Sequence, residues 1–120
     1  MDFTQENLFE TLNTSNQETI NQANFGAIKL TDTGNVEFYN RYQSSLSGLS
    51  PQETLGKNFF VQVAPCTNNF MVAERFHDAV ANNTALDETL DYIFTYKLKP
   101  TKVTLRLLRQ QQQSWICVDA

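Results

Sequence analysis

The stretch from Leu90 to Lys97 constrains the chain more than any other, because its large apolar residues Leu90, Tyr92, Phe94 and Tyr96 recur at every second position, separated by Asp91 and Thr95. Successive side chains of a strand point to opposite faces, so this period of two predicts a strand with one aromatic face and only Ile93 as an apolar residue on the other. Lys99-Pro100 closes it. Val103, Leu105 and Leu107 then alternate with Lys102, Thr104 and Arg106, and a last strand over Ser114 to Val118 follows the polar link Gln110 to Gln113. Three strands in a row joined by short links call for one antiparallel sheet.

Upstream, Phe25 to Leu30 and Val36 to Tyr39 flank Thr31-Asp32-Thr33-Gly34-Asn35, whose Asp, Gly and Asn suit a tight reversal between two strands. Ser50-Pro51-Gln52-Glu53 has the form of a capping box, with Ser50 as N-cap, proline at the first helical position and Glu53 able to reach back to the Ser50 amide. Gly56 ends that short helix. From Asn69 to Asn83 the residues Phe70, Ala73, Phe76 and Val80 fall three or four apart with Glu74, Arg75 and Asp78 opposite, which predicts one amphipathic helix. Residues 1 to 22 are rich in Asn, Gln, Thr and Glu, with Phe3, Leu8, Phe9, Leu12 and Ile20 at roughly helical spacing. They predict a mobile helical cap held by few apolar positions.

The order is therefore two strands, helices, three strands. It predicts an α+β domain built on a five-stranded antiparallel sheet, with an aromatic face on one side and helices received on the other. A chain of 120 residues with an apolar fraction of 41% suffices for one core. The expected division is a helical cap at 1–23 and the main domain at 24–120.

Thirteen acidic and nine basic residues are spread along the chain for a net charge of -4, without the basic stripe that tracks phosphates, so nucleic acid is not an expected partner. No stretch approaches the ~18 apolar residues of a membrane helix, and Met1 to Ala23 lacks the basic start and apolar core of a secretory leader. The chain reads as cytoplasmic, a monomer or weak dimer. Its two cysteines, Cys66 and Cys117, have none of the spacings of a zinc, haem or redox pair. Cys117 reads as a buried filler of the last strand beside Trp115.

Cys66 is different. It lies in Val63-Ala64-Pro65-Cys66-Thr67, shortly after Gly56-Lys57-Asn58-Phe59-Phe60, and Pro65 fixes its own φ while pushing Ala64 away from the helical region. A locally stiff backbone aims a thiol in one direction, which suits a cysteine that carries something.

Five segments, Asn24-Phe25-Gly26-Ala27-Ile28, Tyr39-Asn40, Gly56-Lys57-Asn58-Phe59-Phe60, Val63-Ala64-Pro65-Cys66-Thr67 and Pro100-Thr101-Lys102-Val103, resemble in order and spacing the photoactive yellow protein family, blue-light receptors with a PAS fold. The match runs from Phe25 to Val118. The resemblance implies a pocket between the sheet and the helical segment, and p-coumaric acid (4-hydroxycinnamic acid) joined to Cys66 as a thioester with its ring held as a phenolate. It implies a light-driven trans-to-cis isomerisation, and Tyr39 as one donor to the phenolate oxygen. The family's second donor is a glutamic acid, and here that position is Gln43. An amide N–H can donate but cannot hand over a proton as a neutral carboxylic acid can.

Ser47 matches a threonine whose hydroxyl supports the tyrosine. Leu49 replaces an arginine at the pocket mouth, and Leu98 a methionine linked to thermal return. Ile28, Phe59, Val63, Tyr92 and Phe94 match wall positions, and Ala64, Pro65 and Thr67 flank the cysteine. The implied partner is a downstream signalling protein.

Two other readings stand beside this one. A cysteine hydrolase would need a histidine base held by a third group, and the one histidine, His77, falls on the polar side of its predicted helix beside Asp78. A PAS module without pigment, serving only protein contact, fits the loss of the family's glutamate and arginine.

Overall fold

The computed structural model describes residues 1–95 and 100–120; Tyr96, Lys97, Leu98 and Lys99, all read from the sequence, lie outside the described residues. The predicted hairpin forms: β1 (Gly26–Leu30) pairs antiparallel with β2 (Val36–Tyr39). Its turn closes through Thr31 N–H to Asn35 O at 2.8 Å and Gly34 N–H to Thr31 O at 2.9 Å, with Gly34 at φ +90°, where a side chain would be strained. Three further strands, β3 (Leu86–Phe94), β4 (Thr101–Gln110) and β5 (Gln113–Asp119), complete a five-stranded sheet in the order β2-β1-β5-β4-β3. β5 returns to pair with β1, so the first and last strands lie side by side at the centre.

The polar link between β4 and β5 is tighter than its composition predicts. The ladder runs to Gln110 opposite Gln113, leaving a two-residue turn in which Gln111 (φ 51°) and Gln112 (φ 63°) are both left-handed. That is the type I′ geometry usually filled by Asn-Gly, and Gln-Gln gives no such signal.

Among the described residues five α-helices pack around the sheet: α1 (Leu8–Thr14), α2 (Gln17–Asn21), α3 (Arg41–Ser47), α4 (Pro51–Thr54) and α5 (Ala73–Asn82). The Ser50 capping box of α4 is present in both directions. α5 begins four residues later than its periodicity predicts. Asn69 takes the Met71 and Val72 amides onto its side-chain oxygen at 2.9 and 3.1 Å, so residues 69 to 72 form a capping turn. Phe70 is thereby turned outward, 73% exposed, while Ala73, Phe76 and Ala79 form the buried face.

Both faces of the sheet are covered, where the sequence predicted helices on one. Ile28, Leu30, Leu105, Leu107, Ile116, Val118 and Phe94 pack with residues of α5 and the 59–64 segment in one core. The aromatic face of β3 thus looks toward these helices and not away from them. On the opposite face Ala27, Leu108, Trp115 and Cys117 receive Phe3, Leu8, Phe9, Leu12 and Ile20 in a second core. The cap is therefore a packed layer. Phe3, Leu8, Phe9, Leu12 and Ile20 are all buried, because Ala27 of β1, Leu108 of β4 and Trp115 and Cys117 of β5 supply a matching apolar floor. Among the described residues no helix is long and apolar enough to cross a membrane.

Candidate functional site

The site is assembled on the face that packs against α5 by three short segments, the end of β2, α3 and the turn that carries Cys66. Asn40, fully buried, sets α3: its side-chain oxygen accepts the Gln43 amide at 3.1 Å and the Ala27 amide at 3.0 Å. Its side-chain nitrogen donates to Ile20 O and Phe25 O, both at 3.0 Å. One carboxamide thus caps α3 and fixes it to β1 and α2. From α3 the chain sends Gln43 and Ser47 inward, one turn apart on one face.

Tyr39, at the end of β2, is 1% exposed, and its hydroxyl donates to Ser47 Oγ at 2.8 Å. The Leu49 amide donates to the same oxygen at 3.2 Å. Ser47 therefore does touch the tyrosine it was expected to support. Gln43 is fully buried, and its side-chain oxygen lies against Gly26 so closely that a Cβ at 26 would collide with it. Gly26 was not singled out as a site residue; its signal was only that a glycine opens a central strand.

The Cys66 segment hangs from the first hairpin. Phe59 N–H donates to Gly34 O at 2.8 Å, and Asn58 Nδ2 to Thr33 O at 2.8 Å. Residues Phe59–Val63 then make one π-turn, with Ala64 N–H bonded to Phe59 O at 2.7 Å. Its wide turn lodges Phe59, Phe60 and Val63 in the core. Ala64 follows at φ -133°, ψ 72°, out of the helical region as the residue before proline must be, though short of full extension. Pro65–Thr67 form a single 3₁₀ turn, closed by Thr67 N–H and Oγ1–H on Ala64 O at 2.9 and 2.7 Å.

Cys66 is a free, half-buried thiol packed against the main core. Tyr39, Ile28, Phe59, Val63, Ala64 and Phe94 belong to that core, and Leu49 and Tyr92 pack on it half-buried. Gln43, Ser47 and Thr67 are its buried polar neighbours. The expected site residues are thus brought together, with two exceptions. Pro65 is exposed, so it acts through its backbone and is not a wall, and Leu98 lies outside the described residues.

The polar groups gathered here are neutral. Among the described residues the only buried charged side chains are Arg106 and Arg109. Arg106 points to the cap; Arg109 binds Asp32 and Ser114 near the β4–β5 turn. An apolar core that carries a free thiol at one place and uncharged O–H and N–H donors at another has donors that could offset the desolvation of an anion and no carboxylate to oppose it. His77 is exposed with its ring edge-on to Phe60, centroids 5.8 Å apart. Asn69, which holds the Cys66 carbonyl, was missed; an Asn three residues beyond the thiol, where an apolar period begins, was its signal.

Compared with models of protein families, the chain matches none. It is 44% identical over 85 residues to a photoactive yellow protein of Rhodothalassium salexigens, covering 71% of this chain and 67% of that one. It is 36% identical over 118 residues to the photoactive yellow protein of Halochromatium salexigens, covering 97% and 94%. Among solved structures it is similar to the photoactive yellow protein domain of the sensor histidine kinase Ppr from Rhodospirillum centenum, with a TM-score of 0.85, 33% identity and coverage of 92% of this chain and 98% of that domain.

Proposed function

Because the chain belongs to the photoactive yellow protein family of PAS-fold photoreceptors, we propose that it is a blue-light receptor whose Cys66 carries p-coumaric acid as a thioester. When bound, the group supplies a conjugated double bond that absorbs blue light and turns from trans to cis, starting a photocycle.

The protein's own residues have three tasks. Cys66, as thiolate, takes up the activated acyl group: its sulfur forms the new S–C bond, and the activating group leaves with the electrons of the bond that breaks. Tyr39 and Gln43 supply donors to a phenolate oxygen. A free phenol titrates near pH 10, so the anion needs such donors in an apolar surrounding. The Tyr39 hydroxyl, which donates to Ser47 Oγ, must then turn its proton inward, and Ser47, whose hydroxyl can donate as well as accept, replaces that bond by donating to the tyrosine oxygen. Gln43 donates but releases no proton, so protonation later in the cycle draws on water or another group. Finally, the wall of Ile28, Phe59, Val63 and Phe94 is close-packed, and a change of shape inside it has to be relayed outward.

The observation that carries this reading is that a free thiol, a tyrosine and a buried amide from three separate segments converge on one apolar core. The family includes a domain of a sensor histidine kinase, which supports a signalling protein as the downstream partner. Mixing apoprotein with p-coumaric anhydride is expected to give a yellow adduct with the mass of one coumaroyl group on Cys66, bleached by blue light and recovering in the dark. A colourless product, or mass on another residue, overturns the proposal and leaves a pigment-free interaction module.

A further inference from the structure

The Cys66 carbonyl receives two donors from outside its own turn. The Tyr92 hydroxyl, on β3, donates to it, and Asn69 Nδ2 donates to it at 3.1 Å. Asn69 Nδ2 also reaches the Tyr92 oxygen at 2.6 Å, so carbonyl, phenol and carboxamide form a closed triangle. The other end of that carboxamide accepts the Met71 and Val72 amides. Asn69 therefore spends every polar atom of its side chain on linking the thiol turn, β3 and the entry to α5.

We propose that Asn69 and Tyr92 are positioning residues for Cys66, a clamp that fixes its carbonyl and thereby aims its thiol at the site. The proposal rests on Cys66 being the acylated residue. The thiol sits in a single three-residue turn that opens on an exposed proline. With the carbonyl held from two sides, the rotation of the peptide plane is fixed, and with it the direction of Cα–Cβ. Neither clamp residue needs to touch the acyl group. Their effect is orientation, and an ångström of misplacement can cost as much as a hundredfold in rate.

Two substitutions separate the clamp from plain folding. Tyr92→Phe removes one donor and keeps the ring that packs on Phe94. Asn69→Asp keeps an acceptor for Met71 and Val72 but removes both donors, and its carboxylate draws the Tyr92 hydroxyl away from the Cys66 carbonyl. The measurement is the ratio of two rates in apoprotein, acylation by p-coumaric anhydride, which needs orientation, and alkylation of Cys66 by iodoacetamide, which does not. Both use the thiolate, so a changed thiol acidity cancels. In parallel, isotope-edited infrared spectroscopy of ¹³C=O-labelled Cys66 reports the carbonyl directly.

In both variants the ratio is expected to fall about tenfold or more, with the labelled carbonyl band moving to higher frequency as its donors are lost. An unchanged ratio in variants that fold, or an unmoved carbonyl band, overturns the clamp. Absence of coumaroyl mass in the unsubstituted protein overturns the site reading first and the clamp with it; normal loading with an unchanged ratio overturns the clamp alone.

Discussion

The two faces of the sheet solve the burial of polar groups in opposite ways. Around the site the work is done by neutral side chains, Tyr39 on Ser47, Asn40 on four backbone groups, and Asn69 with Tyr92 on the Cys66 carbonyl, and the buried charge on that face, Arg109, sits at the β4–β5 turn against Asp32. On the cap face it is done by an ion pair. Arg106 donates through Nε and Nη2 to the two oxygens of Asp87, each at 3.0 Å, and through Nη1 to Phe3 O at 2.9 Å and Gln5 O at 2.6 Å. The hydrogen bond to Asp87 raises the guanidinium pKa still further, so Arg106 stays cationic. Donors that bring no competing charge suit the anionic group proposed for the site. The face that holds the N-terminal segment does so through a pair whose carboxylate stays in reach of water, as the half-exposed Asp87 does.

Each face also holds one cysteine, and the largest expected contrast is between them. Cys66→Ala abolishes the coumaroyl adduct altogether, whereas Cys117→Ala leaves one adduct per chain; intact mass after treatment with p-coumaric anhydride decides, and loss of the adduct in Cys117→Ala would break the contrast. Cys117 is fully buried beside Trp115, and desolvation pushes its thiol up from 9.0 to about 12. The sign follows. Above pH 9 the unfolded chain loses this proton while the folded one keeps it, so the stabilisation is complete below pH 9 and is lost as pH rises to about 12. Roughly 1.4 kcal/mol per pH unit gives about 4 kcal/mol across that window. Urea unfolding at pH 8 and pH 11 is expected to show a steeper alkaline loss in the unsubstituted protein than in Cys117→Ala. Parallel losses would mean that the thiol ionises without unfolding.

What was legible in the sequence was what is settled within a few residues. The reversal at Thr31 to Asn35 and the Ser50 capping box depend on residue types at fixed offsets, and both form as expected. The period of two in β3 and β4 identified the strands but could not tell which partner each face meets. Ala27, Leu108, Trp115 and Cys117 read as scattered until the first and last strands pair and line them up under the cap. Asn69 and Phe70 misled the helix boundary because a side-chain hydrogen bond outcompeted the apolar period. Arg106 looked like an ordinary polar residue alternating with leucines, since its partners lie 101 and 103 positions away.

The cap contact gives the next contrast in size. Arg106→Ala leaves Phe3 O and Gln5 O without a charged donor. Hydrogen bonds to charged groups contribute about 1.5–3 kcal/mol, so a loss near 2 kcal/mol is expected, which corresponds to roughly thirtyfold faster amide exchange over residues 3–12. Arg109→Ala serves as the comparison. It too removes a buried guanidinium, one bonded to Asp32 and Ser114, but three residues along β4 and on the opposite face of the sheet, and it is expected to leave exchange in the cap unchanged. Equal acceleration in both variants would show that the cap senses global stability and not the clasp.

The smallest effect is the most diagnostic of the site face. Gln43→Glu is isosteric, and the pocket beside Gly26 accepts it without a shift of backbone. A protonated carboxyl is a stronger donor than an amide and draws more charge off a phenolate, so the visible band of the loaded protein is expected to move to the blue. The same bond stabilises the anion over the neutral phenol, so the pH at which the colour bleaches falls, by about one unit for ~1.4 kcal/mol. Gly26→Ala works in the opposite sense: its Cβ evicts the Gln43 carboxamide, weakens the donor and raises the bleaching pH. Titration of the visible band is therefore expected to give the lowest bleaching pH in Gln43→Glu, an intermediate one in the unsubstituted protein and the highest in Gly26→Ala. If Gln43→Glu leaves both the band and the bleaching pH where they were, the amide does not face the ring oxygen, and Tyr39 with Ser47 must hold the charge without it.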